Sequence, residues 1–573
     1  MTAELATAAL DAALAQVRAC QQAAWPHQVP RTPQYPIESM ALVDYLRHWA
    51  SERPETVAIG FYGRDISYAE YDELSDRFAG WLLAEGVVAG DRVGVFLSNC
   101  PQFLIAMLGI LKVGAVHVPI NPLFRAHELR HELVDAGVSV LLAQDDLAAL
   151  VEEVRGQTPV RSVAVTGLGD MLTEEPPVPV PFGTSGDTDW QRILESPRAP
   201  AQPIDPDALA ALNYTGGTTG MPKGCEHTQR HMVYTAATAT LGNGYQVGEP
   251  MVALNFLPVF WIAGEDFGIL LPLVNGGTVV LMNRWEAGTA LALLGRYRVT
   301  TVVAMVDNYL ELLNHPAFDP KDLTALENST GVSFVVKLSP DIREQWRAAT
   351  GLVLRETSYG MTETHTADTF TLGFQHGDYD LHQDPVYCGL PVPGTDILIV
   401  DEAGAPVPMG QEGQIIVRSP SILTGYHGNP EAGAATVREG WLQTGDLGKF
   451  DQHGALQYLA RNKEMIKVNG MSVFPAEVES LLMLHPRVRA AGVVPKPDAR
   501  RGQVPLAFVQ LTPGDAFAPA ELRAWAAANM ATYKVPEITV VDALPMTATG
   551  KIRKGELFTM TERIVAAESE ATL

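Results

Sequence analysis

The chain has 573 residues, about four domain-sized lengths by a soft length prior. Hydrophobic residues at 47%, charged residues at 19% and aromatics at 8% make an ordinary globular balance, which excludes a disordered, collagen-like or disulfide-stapled chain. With 41 Lys plus Arg against 66 Asp plus Glu, the formal net charge of -25 repels phosphate backbones and anionic lipid; general nucleic-acid and membrane-surface binding are not expected, and a local basic pocket for one anionic ligand is still allowed.

In chain order, Met1 to Ala24 are Ala-rich and carry Glu4 and Asp11 where an export signal would want Lys or Arg, so they read as a helix. Ser67 and Glu70 have capping-box spacing, and Tyr71, Leu74, Phe78, Trp81 and Leu82 repeat on one helical face. Residues 93–97 read as a buried strand, 101–112 as a helix, 115–120 as extended, 127–136 as a helix and 138–143 as extended. Strand and helix in alternation imply parallel pairing, hence a doubly wound α/β layout. The Pro-rich run 174–207 reads as a surface loop between two α/β halves, and 385–460, with short apolar runs between Gly and Pro, as a small β-rich subdomain. Beyond Arg461 the α/β pattern returns.

The expected fold is therefore α/β. A large N-terminal domain, 1–460, holds two doubly wound subdomains and the β-rich one; a smaller α+β C-terminal domain, 461–573, follows it. The apolar stretches Phe103 to Ile120 and Phe267 to Met282 are broken by Lys112 and His117, and by Pro272, Asn275, Gly276 and Gly277, so no membrane span is expected. Cys20, Cys100, Cys225 and Cys388 form no CxxC pair, and a reducing cytoplasm is the simplest setting for them.

The strongest chemical signal is Tyr214-Thr-Gly-Gly-Thr-Thr-Gly-Met-Pro-Lys-Gly224, which follows an apolar strand candidate, Ala208 to Leu212. Gly216, Gly217 and Gly220 let backbone N–H groups crowd around an anion; Thr215, Thr218 and Thr219 add hydroxyl donors and Lys223 a point charge. No Gly-Lys-Ser/Thr sequence closes the loop, so it is a phosphate cradle but not a Walker A motif.

On this loop the sequence resembles the adenylate-forming superfamily of acyl-CoA synthetases, peptide-synthetase adenylation domains and beetle luciferases. Further matches follow in that family's order: Tyr359-Gly-Met-Thr-Glu363, Thr444-Gly-Asp446, Arg461-Asn-Lys463, Lys467-Val-Asn-Gly470 and Thr549-Gly-Lys551. The resemblance spans about residues 40 to 560 and implies ATP, Mg²⁺ and CoA as cofactors. It implies ATP contacts from the loop, from Gly331, and from Ser358, Tyr359, Gly360, Met361, Thr362 and Glu363. Glu363 is implied as the Mg²⁺ ligand, Asp446 and Arg461 as ribose contacts, and Lys463 as the hinge of a mobile C-terminal lobe. Lys551 is implied as the catalytic cation of adenylation, Lys467 as a catalytic residue of the thiol step and Gly470 as a CoA contact. The activity implied is ATP-dependent adenylation of a carboxylic acid followed by transfer to CoA.

Several positions depart from the pattern. Where relatives have Leu-Pro-x-Phe-His, this chain has Leu257-Pro-Val-Phe-Trp261, and the indole of Trp261 either borders the substrate or packs in the core. Glu265 and Asp266 follow in an apolar setting. They are read either as first-turn helix residues or as receivers of a substrate amine or hydroxyl. Lys337, in Thr330-Gly-Val-Ser-Phe-Val-Val-Lys337, faces solvent before a helix capped by Ser339 or pairs with an acid in the pocket. These departures keep two alternatives open beside a small acid, aromatic or otherwise: a diazotase-like member that activates nitrite for an aryl amine, and an enzyme that loads a carrier protein or an amine.

Overall fold

The computed structural model describes residues 3–183, 188–215, 222–333, 336–383, 386–468, 471–498, 500–512, 514, 518–530, 532–547 and 551–571, with backbone alone at 3–7, 463, 472 and 569–571. Among these residues the strands form four sheets. In the first, strands Arg92–Phe96, Val116–Pro119, Val138–Gln144, Ser162–Thr166 and Leu209–Tyr214 run parallel, and Gly224–Thr228 closes an antiparallel hairpin on the last of them. In the second, Val57–Phe61, Val252–Asn255, Thr278–Leu281, Thr301–Met305, Asn328–Val332 and Leu354–Glu356 are parallel, with Arg64–Ser67 antiparallel at one edge.

Helix Pro101–Lys112 shows how the two sheets share one core. Every residue in it is buried, and Pro101 takes the helix start, where its missing N–H costs nothing. Its one charge, Lys112, lies 2.6 Å from both Asp72 and Asp76, which compensates an ammonium that is 2% exposed. That pairing is why a lysine can end an otherwise apolar run.

The stretch 174–207 is more structured than its composition suggests. It holds a short helix, Trp190–Leu194, whose Trp190 is fully buried beside Phe78 and donates to the Met171 sulfur at 3.2 Å. The large apolar ring overrides the surrounding prolines and pins this segment to the core. The β-rich unit is an antiparallel sheet from Thr369–Phe370 to Leu456–Arg461. The N-terminal helix Ala3–Ala24 packs on it through Leu14 and Val17, and Arg18 pairs with Asp396 at 2.6 Å. Beyond the turn Asn462–Glu464 a five-stranded sheet, Ile466–Val468 to Glu537–Val541, carries helices Pro475–Met483, Pro519–Asn529 and Lys554–Ala571.

Candidate active site

Strand Leu209–Tyr214 and strand Gly224–Thr228 deliver the two ends of the Gly/Thr loop. The Thr215 N–H donates to the Lys223 carbonyl at 3.0 Å, and the Lys223 N–H returns to Thr215 Oγ1 at 3.2 Å, so the loop base is closed. Gly216, Gly217, Thr218, Thr219 and Gly220 lie outside the described residues, as does Gly470. Lys223 is exposed, with its ammonium 4.9 Å over the Tyr426 ring, and the Tyr426 hydroxyl donates to Glu363 Oε1 at 2.8 Å. Tyr426 thus links the loop lysine to the acid of the second motif, a tie that the sequence motifs alone do not reveal.

The second motif runs from strand Leu354–Glu356 into the short turn Thr362–Thr364. Gly360 is required by packing: a Cβ there would meet Ala367 N and the Thr366 carbonyl carbon at 2.7 Å. The next residues, His365, Thr366 and Ala367, all have positive φ (56°, 68° and 25°), a run of strained backbone beside the site. Gly331 is a milder case, where an added Cβ would lie 3.2 Å from Val306 Cγ2.

The third motif sits on paired strands. Asp446 and Arg461 are register partners, and Arg461 Nε lies 3.0 Å from Asp446 Oδ1. The Tyr359 hydroxyl donates to Asp446 Oδ2 at 2.6 Å, and the Asp446 N–H donates to Thr444 Oγ1 at 3.0 Å. Burial pushes the Asp446 carboxyl above the ordinary carboxylate range, while Arg461 and the Tyr359 hydrogen bond pull it back. The carboxylate is held from two sides, and its backbone is tied to Thr444.

Lys551 enters from the C-terminal lobe. Its backbone is fixed by reciprocal bonds with Thr547, at 2.7 Å from the Thr547 N–H and 3.0 Å to its hydroxyl. The ammonium stands 5.5 Å from the centre of the Trp261 ring and within electrostatic reach of Asp446 and Arg461. The residue keeps contact with solvent in the cleft, but its ammonium is hemmed in by protein. That enclosure, ahead of the Arg461 cation, lowers its pKa from the lysine value. Trp261, half-buried at the start of helix Ile262–Glu265, therefore faces the cleft and is not swallowed by the core. Lys467, on strand Ile466–Val468, is exposed in this lobe orientation.

Glu265 and Asp266 are placed differently from the cleft residues. Both are fully buried, where helix Ile262–Glu265 passes into a π-helical turn, Asp266–Leu270. Glu265 accepts from Asn213 Nδ2 at 2.9 Å and lies 3.7 Å from His365 Nε2. Burial raises the Glu265 carboxyl to about 7 and raises Asp266 as well, with Glu265 adding repulsion. Burial also holds nearby His231 down at about 4 and His365 at about 3, so these rings are neutral. Neither acid reaches the cleft surface; they sit behind its wall, under the strand that leads into the loop.

Lys337 donates to the Ser333 carbonyl at 2.8 Å, and the Ser333 hydroxyl donates to Glu356 at 2.5 Å. Its ammonium also favours the ionised form of Glu356, whose pKa burial raises. The helix that follows is capped by Ser339, which accepts from the Ile342 N–H. Glu356 and Arg355 were not among the sequence candidates. The available signal was a charge pair inside a short strand immediately before the second motif. A narrow cavity of about 30 Å³ lies among these residues, bordered by Asn243, Phe267, Thr330, Arg355, Glu356 and Ser358 among others.

A closed Gly/Thr loop base, an oriented buried carboxylate and a lysine brought in from a second lobe define a nucleotide-dependent group-activating enzyme. The chain belongs to the AMP-binding enzyme family, whose model matches residues 46–427, and the AMP-binding enzyme C-terminal domain matches 477–551. It is 30% identical over 562 residues to a long-chain-fatty-acid–CoA ligase of Bacillus subtilis (strain 168), covering 93% of this chain and 97% of that one. It is 32% identical to a feruloyl-CoA synthase of Amycolatopsis sp over 505 residues, 88% of this chain and 96% of the relative. Among solved structures, the anthranilate CoA ligase AuaEII in complex with anthranoyl-AMP superposes with a TM-score of 0.79 at 26% identity, covering 93% of this chain and 99% of that one.

Proposed function

We propose that this chain is an ATP-dependent, AMP-forming acid–thiol ligase: it joins a small carboxylic acid to the α-phosphate of ATP, releases pyrophosphate, and passes the acyl group to CoA. The observation that carries this reading is Lys551 standing over Trp261 beside the Asp446–Arg461 pair. A carboxylate oxygen must approach a phosphate that already bears negative charge. An ammonium between them offsets that repulsion most strongly in the transition state, where the two anions are closest. The acid's C–O⁻ forms the new O–P bond as the P–O bond to pyrophosphate breaks, and pyrophosphate carries off the electron pair.

Asp446, its carboxylate held by Tyr359 and Arg461 and its backbone by Thr444, accepts hydrogen bonds from the ribose hydroxyls. The Gly/Thr loop and Lys223 hold the phosphates. Glu363 suits Mg²⁺ because a hard carboxylate oxygen is available while Tyr426 engages the other one. When bound, Mg²⁺ neutralises phosphate charge. Lys463, in the turn Asn462–Glu464 between the β-rich sheet and the last sheet, is the hinge on which the lobe turns to bring Lys467 and Gly470 into play. The printed activities of the relatives support CoA as acceptor and an organic acid as the activated group. A cytoplasmic setting accords with four free cysteines.

The test is ATP–pyrophosphate exchange over a panel of acids, with thioester formation followed with and without CoA. Lys551→Ala is expected to cut exchange about 100-fold or more while the fold persists by circular dichroism. Exchange at the wild-type rate in that variant would overturn the assignment. Nitrite with aryl amines, carrier proteins and free amines serve as acceptor controls; AMP release that required any of them in place of acid and CoA would replace this reading.

A further inference from the structure

One wall of the cavity has a chemical character that a plain acyl tail does not need. Val303, Thr330 and Arg355 are register partners across three adjacent parallel strands, so their side chains form one row on one face of the sheet. The row borders the cavity together with Ala239, Gly242 and Phe267. Arg355 is 8% exposed and Thr330 is 7% exposed.

One terminal nitrogen of Arg355 is fixed by Asn328 Oδ1 and, at 3.3 Å, by Asn243 Oδ1, both neutral acceptors. Among the described residues its other guanidinium nitrogens have no hydrogen-bond acceptor and no carboxylate lies within ion-pair distance. Asp380, the acid whose field reaches it, is already held by two nitrogens of Arg343 at 2.6 and 2.8 Å. Glu356, the next residue, also borders the cavity, but Ser333 and Lys337 engage it. Burial pulls Arg355 down to about 10, so it remains a cation at neutral pH. The Thr330 hydroxyl beside it is buried without a partner.

A buried guanidinium facing a cavity and lacking a counter-ion is costly, and its partner is supplied from elsewhere. Guanidinium is also the side chain that best matches a carboxylate in two-pronged geometry. We propose that Arg355 and Thr330 form a subsite for a second carboxylate on the acid being activated, so that the substrate is a dicarboxylic acid held at both ends. This rests on the acid-activating reading above and deepens it: the reacting carboxylate meets Lys551, and the distal one meets Arg355 in the cavity. An acid ending in a methyl group would leave the cation unpaired, which a site built for a polar group rejects strongly.

The test uses the full chain and a length series of aliphatic and aromatic dicarboxylic acids, each matched to the monocarboxylic acid that ends in methyl or hydrogen. Pyrophosphate release is expected to favour the fitting dicarboxylate about 100-fold or more in kcat/KM over its monoacid partner. Arg355→Met should collapse that ratio to near unity, and Arg355→Lys should leave an intermediate ratio. A binding readout runs in parallel: the dicarboxylate should raise the melting temperature of the wild type more than the monoacid does, and lose that advantage in Arg355→Met. If that variant does not fold, the lysine variant and the wild-type ratio carry the test. Monoacids activated as well as dicarboxylates, with the ratio insensitive to Arg355, would overturn the subsite and leave the ligase standing. Dicarboxylate binding without Lys551-dependent exchange would overturn the ligase and leave the subsite.

Discussion

Single side chains in this protein do their work through the charges they are forced to keep or give up. Glu265 illustrates the second case. Its folded carboxyl is raised to about 7 by burial, so between the ordinary carboxylate range and neutrality the folded chain holds a proton that the unfolded chain has released. Stability from this group is complete in acid and falls as pH rises through that window. Glu265→Gln keeps an acceptor for Asn213 and does not titrate. The variant is expected to gain on the wild type as pH climbs from about 4.5 to 7, reaching about 3 kcal/mol and then levelling. Urea midpoints of the two proteins across that range measure the difference; parallel curves would refute it. Glu265 and Asp266 were legible as anomalous acids in an apolar run, but their position behind the cleft wall was not, because period and composition do not say which side of a helix faces a void.

At the scale of elements, the second motif depends on two chain segments touching backbone to backbone. Gly360 admits the positive-φ run His365–Ala367 only because it has no Cβ. Gly360→Ala should therefore cost about 1 to 3 kcal/mol of stability and lower adenylation, since relief of a 2.7 Å contact must move either the Tyr359 side or the Glu363 turn. Thermal melting together with ATP–pyrophosphate exchange checks both; a variant of wild-type stability would show that the loop yields freely. Helices 101–112 and 127–136 and strand 138–143 were readable to within a residue or so, because each buries one face with its own period. The helix at Trp190–Leu194 was not, because proline content argued for a loop and one buried indole decided otherwise.

For the whole molecule, the arrangement described has Lys551 beside Trp261 in the cleft and Lys467 exposed. If the lobe serves two half-reactions from two orientations, the two lysines act separately. Lys467→Ala is expected to leave ATP–pyrophosphate exchange within about twofold of the wild type and to reduce thioester formation at least 10-fold. Single-turnover assays of each half-reaction separate the effects. Equal losses in both would mean that one orientation serves both steps.

The order of the nucleotide motifs, the α/β alternation and the separate last lobe were all determined by sequence, since each is written in local spacing: a glycine run, a repeat of apolar positions, a cap. Tertiary structure decided the rest. It joined strand Val57–Phe61 to Thr278–Leu281, more than 200 residues away, set Trp261 beneath a lysine from the far end of the chain, and lined Val303, Thr330 and Arg355 along one cavity wall. Such neighbours are chosen by which surfaces bury each other, and burial is a property of the assembled chain and not of any window along it.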